Sequence, residues 1–162
     1  MKRQILDLAA AVLRLAFGCG MATVPVLSHA TDLAPPELEL AAASQFIMLA
    51  QQGERNLAVL EQSGALQGIR ATQLGNHQRI TAMQSGELNT ATLVQNGLLN
   101  TISLIQSGQL NHANIAQCAT QASASVYQQG WGNRAEIRQY KNSATAVVSQ
   151  TGDFGNTTLV QH

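Results

Sequence analysis

Charge is what this sequence has least of. Only 11% of its 162 residues are charged, nine basic against nine acidic, and the formal net charge is zero. That excludes a nucleic-acid partner, because phosphate neutralisation needs a basic stripe. It also leaves little self-repulsion to hold copies apart. Aromatic residues make up 4%. Poor charge and few aromatics can mark a disordered chain, but 45% of the residues are hydrophobic and recur with a strict period, which argues for order. Histidine is sparse and scattered, at His29, His77, His112 and His162. No acid pair recurs at a spacing suited to acid–base work and no ligand cluster stands out. An enzyme, a metal and a cofactor are therefore not expected.

Cysteine is nearly absent, with Cys19 and Cys118 the only two. Cys19 falls in a segment that reads as an export signal. Lys2 and Arg3 form a basic start, an apolar run extends from Leu15 to Leu27, and Ser28-His29-Ala30 offers small residues to a peptidase. Residues 1–30 are expected to be a signal peptide, removed after Ala30. Cys118 then remains as a single thiol, a filler at a turn, with no internal disulfide framework. The apolar run is short for a membrane span. Residues 31–44, with Pro35-Pro36 and three acids, read as a flexible leader.

From there on the chain repeats. Glutamine stands at Gln51, Gln62, Gln73, Gln84, Gln95, Gln106, Gln117, Gln128, Gln139 and Gln150, each eleven residues after the last. Repetition at a fixed period signals a solenoid and outranks local propensity. Two residues after each glutamine comes Gly53, Gly64, Gly75, Gly86, Gly97, Gly108, Ala119, Gly130, Lys141 or Gly152. Recurrent glycine reads as a tight turn. Five after each glutamine comes Asn56, Gln67, Gln78, Asn89, Asn100, Asn111, Ala122, Asn133 or Ala144. In the last unit Asn156 is one residue late, which implies an insertion near Phe154-Gly155.

Between the turns lie seven-residue segments such as Asn89–Gln95, in which side chains alternate. Asn89, Ala91, Leu93 and Gln95 share one face; Thr90, Thr92 and Val94 share the other. The first face keeps its character in every unit and the second varies, so the first points inward. A helix is opposed by the glycines, the β-branched residues and the two-residue alternation. Two units make one coil of strand, turn, strand, turn. The fold class is all-β: a two-sheet β-solenoid over residues 45–162, with two strands per 22-residue coil, five double repeats and a terminal strand, stacked at the ~4.8 Å spacing of a sheet. Inward amides are costly alone. Stacked coil upon coil as ladders they stabilise a cross-β array and fix its register. Amides that cap the turns are the alternative.

The unit Gln-x-Gly-x-x-Asn-x-Ala-x-x-x-Gln resembles the curlin repeat of bacterial amyloid fibres, and the likeness covers residues 45–162. Within that family the tract Gly132–Tyr140 and the stretch Thr145–Gln150 are similar to the minor subunit, the kind that nucleates fibres at the outer membrane. The stretch Gln150–Asn156 looks more like the major subunit, which is the alternative. The resemblance implies a secreted, cell-surface fibre protein that self-assembles and supports adhesion and biofilm. Its implied partners are a major curlin subunit and outer-membrane secretion and anchoring factors. Arg134, Arg138 and Lys141 form a basic cluster that such an anchoring factor could contact. A non-amyloid, ice-binding-like solenoid is a more distant alternative. Its outward row Leu57/Val59, Arg79/Thr81, Thr101/Ser103, Ser123/Ser125 and Thr145/Val147 is broken by Arg79 and by apolar ends.

Overall fold

The computed structural model describes residues 45–162. The expected signal peptide and leader lie outside them. Eleven strands follow one another: β1 (Phe46–Gln52), β2 (Leu57–Ala65), β3 (Gly68–Asn76), β4 (Arg79–Glu87), β5 (Thr90–Leu98), β6 (Thr101–Gln109), β7 (His112–Thr120), β8 (Ser123–Trp131), β9 (Arg134–Gln139), β10 (Thr145–Thr151) and β11 (Asn156–Gln161). Odd-numbered strands form a six-stranded sheet and even-numbered strands a five-stranded one. Every pairing is parallel and joins residues 22 apart, as in Gln62↔Gln84 and Ile102↔Ala124. The chain is thus a two-sheet β-solenoid of about five coils.

Alternation sets which side chains meet. In β5, Ala91, Leu93 and Gln95 are buried while Thr90 is exposed. The interior is one apolar layer per sheet: Ile69, Leu93, Ile115 and Ile137 face Ile80, Ile102, Leu104 and Val126, with alanines filling the narrow positions. Each fully buried leucine or isoleucine contributes about 1.5–3 kcal/mol. Large and small residues trade places because the width between the sheets is fixed by the corners.

The strands run further than the alternation suggests. β2 to β8 each have nine residues and continue through the glycine slot, so that Gly64 pairs with Gly86 and Gly86 with Gly108. The glycines do not form the turn alone. The chain bends at the glycine, with φ of 99–125° in the eight slot glycines, and again two residues later. That second position holds Arg55, Leu66, His77, Leu88, Leu99, Leu110, Gln121, Ser143 or Phe154 at φ 54–60°, or Gly132 at 67°. The backbone ladder continues around the corners, as in Leu88 N–H to Ala65 O and Leu110 N–H to Glu87 O, each 3.1 Å.

Two expectations change. There is no insertion near Phe154: Asn156 pairs with Arg134 on the outer face, Gly155 stands in the asparagine slot, and Gln161 pairs with Gln139 as an eleventh glutamine. Cys118 is a strand residue of β7, not a turn filler, because the strand passes through the glycine slot to Thr120. It is disulfide-bonded and not a free thiol.

Candidate functional site

The glutamines form two files, one per sheet. Gln51, Gln73, Gln95, Gln117, Gln139 and Gln161 stack along the six-stranded sheet, and Gln62, Gln84, Gln106, Gln128 and Gln150 along the other. In each file Nε2 donates to Oε1 of the glutamine one coil on, at 2.5–3.0 Å. The second N–H crosses to a backbone carbonyl of the opposite sheet. Gln95 reaches Arg79 O at 3.1 Å, Gln117 reaches Thr101 O at 3.0 Å and Gln139 reaches Ser123 O at 3.1 Å. One amide therefore ties three chain segments, and the desolvation of its polar atoms is met by partners. A one-residue slip would turn every such amide outward.

The asparagines do different work. Asn89, Asn100, Asn111 and Asn133 are buried, but their Nδ2 groups donate to backbone carbonyls, that of the residue four earlier and that of the glycine slot one coil on. Asn89 reaches Ser85 O and Gly108 O, each at 2.9 Å; Asn100 reaches Asn96 O and Ala119 O; Asn133 reaches Gln129 O and Gly152 O. Their Oδ1 atoms accept the backbone N–H of the residue 22 later, as from Asn111 to Asn89 at 3.0 Å and from Ala122 to Asn100 at 2.9 Å. Asn56 behaves likewise, toward Gly75 O and Gln78 N–H. Only Asn111 Nδ2 to Asn89 Oδ1, at 3.1 Å, joins two of these amides directly. The asparagine column staples the corners; the ladder proper is made of glutamine. Residue type alone does not separate the two roles, since both amides are inward and periodic.

The glycine slot is a point of close approach. A Cβ on Gly86 would lie 2.0 Å from Gly108 O, and one on Gly64 would lie 1.9 Å from Gly86 O. Gly53, Gly75, Gly97, Gly108 and Gly130 are equally tight against the next coil, and Gly152 meets nothing within 4 Å. Ala119 and Lys141 occupy the slot where β9 stops at Gln139, and neither adopts positive φ.

The basic cluster is not three equivalent cations. Arg138 forms an ion pair with Glu136 on the same strand. Arg134 is exposed beside His112 and Asn156, and Lys141 is exposed in the turn beyond β9. His112 is held below its ordinary pKa of 6.5, first by burial and then by Arg134, with Glu136 opposing, and its Nδ1 lies 2.8 Å from the Thr90 hydroxyl. No group of histidine, cysteine and acidic side chains among the described residues could hold a metal ion.

The fold and its amide files define a β-solenoid with a parallel, in-register ladder. No family model, curated protein or solved structure matches the chain.

Proposed function

We propose that this chain is a secreted structural subunit of a curlin-type bacterial surface amyloid, of the minor kind that nucleates fibres. It works by assembly, not catalysis. The observation that carries the reading is the state of the terminal coils. Ile47 and Leu49 stand in line with the buried Ile69 and Ala71, yet they are 46% and 43% exposed. Leu159, opposite Ile137, is only partly buried. Among the described residues, β1, β2, β10 and β11 each pair on one side only. Unpaired edges backed by an uncovered interior template further strands. The glutamine files add polarity, because each glutamine-to-glutamine bond donates toward the C-terminal coil.

On this reading the N-terminal coils template a major-type curlin subunit, and exposed Arg134 and Lys141 meet an acidic anchoring factor at the outer membrane. The test adds the purified mature chain, at a small fraction of stoichiometry, to a major-type curlin and times thioflavin-positive growth. A nucleator abolishes the lag. A chain that forms fibres alone and leaves the lag intact is a major-type subunit instead. A chain that stays monomeric and forms no fibre refutes the amyloid reading.

A further inference from the structure

The two corners of each coil share one backbone and differ in their side chains. After each strand of the six-stranded sheet, the left-handed position holds Arg55, His77, Leu99, Gln121 and Ser143; after each strand of the five-stranded sheet it holds Leu66, Leu88, Leu110, Gly132 and Phe154. The φ values match, so the backbone does not call for leucine. Leucine is a poor occupant of this conformation, which asparagine and glycine favour. Nor does the interior need it, since Leu66, Leu88 and Leu110 are 45%, 43% and 45% exposed. Where the position is glycine, the edge stays apolar: Trp131 and Phe154, 40% and 66% exposed, meet edge to face at 4.4 Å over Gly132.

We propose that this leucine edge is the lateral contact between two filaments of this chain, each meeting the other through its own edge. The inference rests on axial assembly as proposed above. Area selects the occupant. The exposed apolar surface of one edge is roughly 400 Å², the size of the largest patch on an ordinary monomer. A stable pair buries about 800 Å² on each side. A single subunit falls short, but axial stacking lengthens the stripe and two subunits in line reach the requirement. The contact therefore forms between filaments and not between free subunits. Charge selects the orientation. The leucine edge carries Glu87 and Asp153 and no lysine or arginine, while the opposite edge carries Glu54, Arg55, His77 and Lys141. A self-contact of the leucine edge is apolar with weak like-charge repulsion, which salt screens.

The test is Leu66→Asn, Leu88→Asn and Leu110→Asn in one chain, with Leu88→Asn alone as the milder change. Asparagine accepts the left-handed backbone, so filaments should form at the parental rate, read by high-speed sedimentation. The bundled fraction, read by low-speed sedimentation and by filament width in electron micrographs, should fall roughly tenfold in the triple variant and partly in the single one. Added salt should increase bundling of the parental chain. Bundling of the triple variant at the parental level overturns the proposal. So does dispersal of parental bundles by salt together with loss of bundling in Arg55→Gln/Lys141→Gln, which places the contact on the opposite edge. If the unaltered chain makes no filaments, the assembly reading itself has failed, and this contact with it.

Discussion

Gln67 and Gln78 stand in the slot that elsewhere holds asparagine, and one methylene decides what they reach. Their Nε2 groups make the usual corner bonds, to Ser63 O and Gly86 O and to Leu74 O and Gly97 O. Their Oε1 atoms are buried without a partner, whereas the shorter Oδ1 of Asn89, Asn100, Asn111 and Asn133 accepts a backbone N–H from the next coil. A buried acceptor left unpaired costs about 1–3 kcal/mol. Gln67→Asn and Gln78→Asn should therefore each stabilise the solenoid by about 1 kcal/mol. Guanidinium dissociation of the assembled form measures this, and a midpoint that falls would show that the lost methylene outweighs the gained bond. The inward direction of these residues was legible in the sequence because alternation fixes it. Their partners were not, because amide spacing is the same whether an amide stacks on its neighbour or staples a corner.

A strand of this solenoid is longer than its alternation, and the glycine explains the difference. It pairs as a strand residue while adopting a φ that other residues avoid, so a reading that equates recurrent glycine with a turn ends the strand two or three residues early. The corner proper is invisible to such a reading: leucine, arginine, histidine, serine and phenylalanine share one left-handed position, at a cost of about 1 kcal/mol or more each. The last unit misleads for a related reason: Asn156 resembles the slot asparagine one residue late, although Gln161 keeps the eleven-residue count. The glycine's second duty, letting coils approach, gives a contrast between sites. Gly86→Ala drives a Cβ to 2.0 Å from Gly108 O and must part the ladder, whereas Gly152→Ala meets nothing within 4 Å and bears only the conformational strain. The first should cost several kcal/mol and the second about 1–2. The contrast belongs to the isolated solenoid, in which no coil follows Gly152, and comparable losses of its stability in guanidinium would count against close coil stacking as the reason for glycine.

At the scale of the whole molecule, what matters is that the two ends differ. One end displays Ile47 and Leu49 with Ala58 and Leu60 behind them; the other displays β10 and β11, with Val148 already 6% exposed and Leu159 partly covered. Parallel strands and one-way glutamine donors mean that a second copy continues the array only head to tail. A subunit spoiled at one end should then act as a cap. In Leu49→Lys the ammonium of an isolated coil can bend into water. A copy stacked above it would bury that charge unpaired, at a cost of several kcal/mol. Such a chain can still dock through its intact C-terminal end onto a growing fibre that displays Ile47 and Leu49, after which nothing can follow. Added sparingly to the unaltered chain, it should stop growth at that end and leave the other untouched. Two-colour fluorescence of single fibres reads this directly. Growth that continues at both ends would mean that the uncovered interior at β1 is not a templating surface, and growth that stops at both would mean that the ends are not distinguished by the polarity of the ladder.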